Sequence, residues 1–402
     1  MKNSRRAFLF LLAVSLAPWA LLRAETAEGS TPKQNYLVFV GTYTTKTASK
    51  GIYVFRYDAN SGALTPMGLA AETTDPSWVE LHPNRKFLYA ANEAGKQSTI
   101  SAFEVDAATG KLKLVKQLQA EGEDPCYLSF DRTGRFLFTA NYTSGNSVAF
   151  EILPDGTPGS HFASPDYPKS PDAGKLGPNK ERQEAPHAHW IQLSRDGHFL
   201  YVADLGLDGI LVYRFNPDEA WKAGKPVLGS RPGGDGRDRA AVLAPGTGPR
   251  HAVFSSDDKF LYVLGELSST VTVFAGQGET FRPLETVQML PPGFSGRNDA
   301  AEIAIHPNGR FLYASNRGRD SIVLLRIAPA TGRLTAAGEV PVGGKEPRHF
   351  AIDPSGNYLL AEDQFSDKIV TFRIDQETGR LTPTGSTVDV PSPVCLAFLP
   401  VD

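Results

Sequence analysis

Residues Asp75–Glu93 read "DPSWVELHPNRKFLYAANE": a short apolar run, a polar turn with Pro and Asn, and a second apolar run opening on Phe-Leu-Tyr. Two runs of strand length joined by turn residues describe a β-hairpin. The same wording recurs along the chain. It returns as "DPCYLSFDRTGRFLFTANY" (Asp124–Tyr142), "HAHWIQLSRDGHFLYVADL" (His187–Leu205) and "GPRHAVFSSDDKFLYVLGE" (Gly248–Glu266). "DAAEIAIHPNGRFLYASNR" (Asp299–Arg317) and "EPRHFAIDPSGNYLLAEDQ" (Glu346–Gln364) complete the set. The aromatic anchors Phe87, Phe136, Phe199, Phe260, Phe311 and Tyr358 set a period of about 50 residues, with two longer gaps.

Each hairpin is followed by a third alternating run, such as "STISAFEVD" or "KIVTFRI", then a turn such as "ATGKL" or "ETGRL" and a short fourth run. Four antiparallel strands at this period make one blade of a β-propeller. The ends supply a further copy. "NYLVFVGTYTTKTASKGIYVFRYDANSGALT" has the second, third and fourth strands but no first, whereas "PSPVCLAFLP" near the C-terminus is a first strand alone. Pairing the two closes the ring and removes the open sheet edges. The sequence therefore predicts an all-β chain, a seven-bladed β-propeller of four-stranded antiparallel blades closed by its N- and C-terminal segments.

The whole chain has 402 residues and a formal charge of −3. That balance offers no electrostatic footprint for nucleic acid or for an anionic membrane. The N-terminus joins Arg5 and Arg6 to an apolar run from Ala7 to Leu22, with small residues near Ala24. This reads as a signal peptide of the twin-arginine type over residues 1–24, followed by a linker (25–34) and the propeller domain (35–402). A periplasmic or secreted protein follows, with the twin-arginine export machinery as partner in transit and no membrane association after signal removal. Two cysteines, Cys126 and Cys395, make no disulfide framework and are expected as buried free thiols.

Propeller geometry turns the repeat into a map. The first strand of each blade lines the central channel, and its start shares a face with the end of the second strand. Ten residues before the anchors stand Ser77, Cys126, His189, Arg250, Ala301 and Arg348; two residues earlier stand Asp75, Asp124, His187, Gly248, Asp299 and Glu346. Six residues after the anchors stand Glu93, Tyr142, Leu205, Glu266, Arg317 and Gln364. One mouth thus gathers His187, His189, Arg250, Glu266, Arg317 and Arg348, with Arg297 within reach. A structural repeat requires none of these types, because other blades place Ser, Cys or Ala in the same slots. Strict alternation puts His251, His349 and Glu302 on the opposite side, packed between blades. The "HPN" residues His82 and His306 are expected at the surface.

Two imidazoles spaced H-x-H could begin a zinc site, but the surrounding arginines repel a cation and suit an anion. No metal and no cofactor are expected. The partner is a small anionic or polyhydroxylated molecule. A histidine is the natural base near neutral pH. Glu266 could orient that imidazole or activate water itself, and an arginine could stabilise a developing oxyanion. Two Gly/Pro-rich inserts, about 153–184 and 216–247, enter first strands on the site face and suggest a lid or a specificity wall.

The segments "GTYTTKTASKGIYVFRYDANSGALT", "PHAHWIQLSRDGHFLYVADLGLDGILVY", "GPRHAVFSSDDKFLYVLGELSSTVTVF", "AAEIAIHPNGRFLYASNRGRDSIVLLRI" and "EPRHFAIDPSGNYLLAEDQFSDKIVTFRID" span nearly all the chain after the signal. In order and wording they resemble the seven-bladed propeller lactonases, which include one type of 6-phosphogluconolactonase and the fungal carboxymuconate cyclase. The resemblance implies lactone hydrolysis without a required metal. It implies a catalytic set at His187 in "PHAH", Arg250 in "GPRH", Glu266 in "GEL" and Arg317 in "NRG"; the remaining residues of the mapped mouth, His189, Arg297 and Arg348, are expected to bind substrate. Export separates this chain from the cytoplasmic phosphorylated substrate and points to another sugar-acid lactone. A non-catalytic binding propeller and a cycloisomerase of muconate-type dicarboxylates are the competing expectations.

Overall fold

The computed structural model describes residues 35–163, 176–215 and 239–401. The signal and linker fall outside these residues, as do the central parts of both inserts. Seven four-stranded antiparallel sheets follow one another around a ring. In six of them the strands run in chain order from the axis outward, as in blade 5: Pro249–Phe254, Phe260–Gly265, Thr270–Gln277 and Thr280–Gln288. In the seventh, Pro393–Val401 is the innermost strand and pairs with Asn35–Thr42, with Val38 opposite Phe398. The predicted closure is therefore present.

Apolar residues alternate along the strands and gather in wedges between neighbouring blades. Val38, Val40 and Tyr57 of the first blade pack on Tyr358, Leu360 and Ile369 of the last, so the closing joint is as well filled as the others. The Phe-Leu-Tyr wording now has a physical reason. Its tyrosine reaches across to the next blade's outer turn: Tyr89 donates to Gly156 O at 2.6 Å, Tyr262 to Gly332 O at 3.0 Å and Tyr313 to Gly379 O at 2.7 Å. The phenylalanine packs on the same turn. At Gly332 (φ 68°) a Cβ would lie 2.4 Å from the Phe260 ring, so only glycine fits both the backbone and the ring.

His82 and His306 correct the surface expectation. Both are buried, and Nε2 of each bonds the next blade's turn carbonyl, Gly134 O at 2.9 Å and Gly356 O at 2.7 Å. A hydrophilic "HPN" motif hid an inter-blade bond.

A second correction decides the site. Every innermost strand carries a β-bulge at its start. In blade 5 Pro249 faces Gly265, but the next partners are Ala252 and Val263, so the inner strand holds one extra residue. The same slip occurs at Pro76/Trp78, Ala188/Trp190, Ala300/Ile303 and Pro347/His349. A bulge breaks the two-residue alternation. Trp78 of blade 2 meets His251 of blade 5 at 5.6 Å and His349 of blade 7 at 5.4 Å, ring centre to ring centre. Blades 2 and 5 are not neighbours, so these rings meet on the axis. His251, His349 and Glu302 fill the channel rather than the clefts between blades, with His251 Nδ1 3.0 Å from Glu302 and His349 Nδ1 2.5 Å from Glu362.

Two measurements test this packing. Tyr262→Phe should lower unfolding stability by about 1 kcal/mol, and Gly332→Ala by more, both read from denaturant melts. The second concerns Asp363, fully buried at the end of a second strand where blades 2, 3 and 6 carry Asn92, Asn141 and Asn316. Neither of its oxygens has a hydrogen-bond partner among the described residues. Burial pushes its carboxyl up to about 8, against the pull of Lys368 and with the repulsion of Asp320 and Glu362. Between the ordinary carboxylate range and pH 8 the folded chain keeps a proton the unfolded chain has lost, so stability falls as pH rises. Asp363→Asn should remove that slope and be more stable than wild type at pH 9 by roughly 1–3 kcal/mol.

Candidate active site

Glu266 follows the second strand of blade 5 and is 2% exposed. Three guanidinium groups converge on it. Arg182 Nη2 lies 2.5 Å from Oε1, whereas Arg250 Nε and Arg317 Nη2 lie 3.1 and 3.2 Å from Oε2. Arg250 sits in the blade 5 bulge, and its Nη1 also donates to Ala301 O of blade 6. Arg317 ends the second strand of blade 6, and its Nε donates to Asp299 O at 3.2 Å. Burial alone would raise the Glu266 carboxyl, but Arg317, Arg250, His189 and Arg182 outweigh it and hold the group well below the usual carboxylate range. Arg250 is pushed down to about 10 by burial and by Arg317 and Arg348, against the pull of Glu266. Asp299 Oδ1 also lies 3.5 Å from Arg182 Nη1 and its other oxygen holds Arg297, so two carboxylates face four guanidiniums and the cluster keeps a positive surplus.

The two histidines flank one tyrosine. The His187 ring stacks on Tyr142 (4.4 Å, 13° between planes), and His189 meets its edge at 5.5 Å. His187 Nδ1 is 2.9 Å from Tyr142 O. A carbonyl only accepts, so Nδ1 carries the proton and Nε2 is left to exchange. Nε2 lies 3.1 Å from Glu184 Oε1. Below the ring, Asp204 accepts the backbone N–H of His187 at 2.9 Å; burial pushes this carboxyl up to about 6, against its backbone hydrogen bonds. His189 lies 3.6 Å from the Cys126 sulfur and 5.1 Å from the His251 ring. Burial, reinforced by Arg250, pushes its imidazole well below its ordinary range. His189 is thus neutral near pH 7.

The remaining candidates stand apart from Glu266. Arg348 Nη2 donates to Tyr43 Oη at 2.8 Å with its guanidinium over the Tyr43 ring, and Tyr43 donates to Glu93 at 2.6 Å. Arg297 is four-fifths exposed and holds Asp299 through Nε and Nη2 at 2.8 and 2.7 Å. The expected single ring of arginines is therefore a three-arginine cluster, an outer arginine joined to it through Asp299, which also pairs with Arg182, and a separate Tyr43–Glu93–Arg348 group. Asp75 and Asp124, in the same row as His187, staple loops: Asp75 accepts the Thr44 and Thr45 N–H groups, and Asp124 that of Gly95. His187 and Glu266 share no hydrogen bond or ion pair among the described residues. Tyr142 and Arg182 connect them, Arg182 Nη2 donating to Tyr142 Oη at 3.4 Å.

Arg182 was not foreseen. It lies at the end of the first insert, which has no counterpart in other blades, so the repeat gives it no register. Buried Gln183 fixes it by donating to Leu205 O and Asp208 Oδ1, both at 2.9 Å. The central parts of both inserts, where the lid was expected, lie outside the described residues. Cys126 and Cys395 are buried, unpaired thiols. Among the described residues no group of three His, Cys, Asp or Glu side chains is arranged to hold a metal ion.

A family model described as "Lactonase, 7-bladed beta-propeller" matches residues 37–398. A 6-phosphogluconolactonase of Bacillus subtilis is 34% identical over 369 residues, covering 90% of this chain and 98% of the relative. A 6-phosphogluconolactonase of Formosa agariphila is also 34% identical, over 78% of this chain and 85% of the relative. The solved structure of a periplasmic gluconolactonase from Pseudomonas aeruginosa superposes with a TM-score of 0.82 at 33% identity, covering 92% of this chain and all of that one.

Glu266→Gln removes the carboxylate that Arg182, Arg250 and Arg317 share; Arg182 keeps Asp299. Leaving the buried Arg250 and Arg317 guanidiniums without a carboxylate should cost about 3–5 kcal/mol of stability, measurable by denaturant melts at pH 7. Added polyanion at low ionic strength should recover part of that loss.

Proposed function

This chain belongs to the seven-bladed β-propeller lactonases, and from that premise we propose that it opens a sugar-acid lactone by direct attack of water, with His187 as base and no metal. It is a lactone-hydrolysing enzyme of the 6-phosphogluconolactonase-like kind. The observation that carries the finer reading is a buried imidazole of fixed tautomer, His187, beside a cluster of guanidiniums with a positive surplus.

With Nδ1 committed to the Tyr142 carbonyl, Nε2 takes the proton of the attacking water. Glu266 is a poor base, because an ionised carboxylate under three arginines gives up little of its charge to a proton. Its part is to hold Arg250 and Arg317, whose remaining N–H groups meet the oxyanion that forms at the lactone carbonyl. His189, neutral and edge-on to Tyr142, bounds the pocket beside the cluster. Arg348 and Arg297 bind hydroxyl or anionic groups farther from the reacting carbon. The ring C–O bond then breaks, and the proton on His187 passes to the leaving alkoxide.

The N-terminal segment reads as an export signal, and the similar Pseudomonas protein is called a periplasmic gluconolactonase. Both support an unphosphorylated sugar lactone as physiological substrate of an exported protein. The test is opening of glucono-δ-lactone and its 6-phosphate above the spontaneous rate, with and without chelator. Chelator should leave the rate unchanged. His187→Ala should lower kcat roughly 10²–10⁴-fold, and Arg317→Met roughly 10²–10³-fold. A wild-type protein that opens no lactone, or a His187→Ala variant of full activity, would count against this mechanism. Loss of a conjugated-diene signal from muconate-type dicarboxylates would favour the cycloisomerase.

A further inference from the structure

Lactone opening at neutral pH leaves a proton behind. Water adds to the carbonyl carbon, the ring C–O bond breaks and the alkoxide is protonated. His187 Nε2, emptied when the alkoxide is protonated, then takes the proton of the new carboxylic acid as it ionises, so one proton must leave His187 for solvent in every turnover. In this site the base is enclosed: His187 is 4% exposed. Its Nδ1 is tied to the Tyr142 carbonyl, so protons pass through Nε2 alone.

The partner of Nε2 is Glu184, at 3.1 Å, whose side chain is 55% exposed. We propose that Glu184 is the proton exit of this active site, taking the proton from His187 Nε2 and releasing it to water between turnovers. The proposal rests on the role given to His187 above. The other charged and titratable groups facing His187 are unsuited to this step. Asp204 is fully buried and spends one oxygen on the His187 and Leu207 N–H groups. Tyr142 lies under the ring face, and its hydroxyl accepts from Arg182. Arg182 is a cation already paired with Glu266.

The backbone around Glu184 suits this task. Gln183 is held by Leu205 and Asp208, and the next residues pack against two glycines. A Cβ at Gly206 would lie 1.8 Å from Ala185 O, and one at Gly145 2.4 Å from Pro186 O. The main chain is therefore fixed on both sides of a carboxylate that reaches solvent. With lactone bound, Nε2 turns its lone pair to the attacking water and the Glu184 side chain swings outward. After product leaves, the carboxylate returns, accepts the proton as a neutral acid and loses it to bulk water. No bond to carbon forms or breaks in this step.

The experiment compares wild type, Glu184→Ala, Glu184→Gln and Glu184→Asp in lactone hydrolysis at pH 7 across imidazole concentrations. Glu184→Ala and Glu184→Gln should lose roughly ten- to a hundredfold in kcat at low buffer, with KM within about twofold. Added imidazole should restore them, wild type should be insensitive to it, and Glu184→Asp should keep most of its activity. Full kcat in Glu184→Ala overturns the proposal, as does a loss that buffer does not rescue or one confined to KM. If wild type is active and His187→Ala is not, the function stands whatever Glu184 does. If wild type opens no lactone, both fall.

Discussion

A buried carboxylate with three guanidinium groups on it constrains everything around it. Desolvating each ion costs several kcal/mol, which is offset only when geometry is held tightly enough for every charge to stay paired or hydrogen-bonded. Glu266 and Arg250 come from blade 5, Arg317 from blade 6 and Arg182 from the segment before blade 4. Three parts of the ring must therefore stay in register to within a hydrogen bond. The closure of Asn35–Thr42 on Pro393–Val401 and the tyrosine-to-turn bonds between blades supply that rigidity. A looser ring would leave a buried charge unpaired.

The same constraint shapes the chemistry. Because the arginines outnumber the carboxylate, Glu266 is locked as an anion and its neighbours keep unspent positive field. That field favours a negative charge forming nearby and disfavours a protonated His189, which burial already keeps neutral. His187 has other neighbours: Tyr142 stands beside it as a stacked ring and Glu184 faces its Nε2. Two histidines one residue apart thus have unlike environments. One is a neutral wall of the pocket, and the other has Nδ1 committed to a carbonyl and Nε2 facing a carboxylate that reaches solvent.

How far the sequence could be read follows from which contacts repeat. The blades were legible because each copy of Phe-Leu-Tyr solves the same packing problem against the next blade's turn. Arg250 was legible as a charged exception in a slot where other blades carry Ser77, Cys126 and Ala301, and Glu266 and Arg317 because the end of each second strand shares that mouth. His251, His349 and Glu302 were misplaced because alternation assumes an unbroken ladder, and one bulge residue reverses every side chain beyond it. His82 and His306 were misplaced because their partners are backbone carbonyls fifty residues away, which no side-chain pattern advertises. Arg182 was invisible for the opposite reason: it lies in an insert with no sister copies to compare. Arg348 and Arg297 were not separable from the cluster by pattern, because what sets them off is a phenol, Tyr43, for one and Asp299 for the other.

The bulge has a further consequence. By turning two successive residues of each inner strand towards the axis, it doubles the number of functional positions a blade can offer at one mouth. In blade 5 the pair is Arg250 and His251, and the first serves Glu266 while the second bonds Glu302 deeper in the channel. In blade 7 Arg348 reaches Tyr43 while His349 bonds Glu362. One residue of each pair faces the mouth and the other builds the plug of Trp78, Tyr127, His251 and His349 beneath it. The plug closes the axis under the guanidinium cluster and lowers the local dielectric. Each arginine above it is stronger for that.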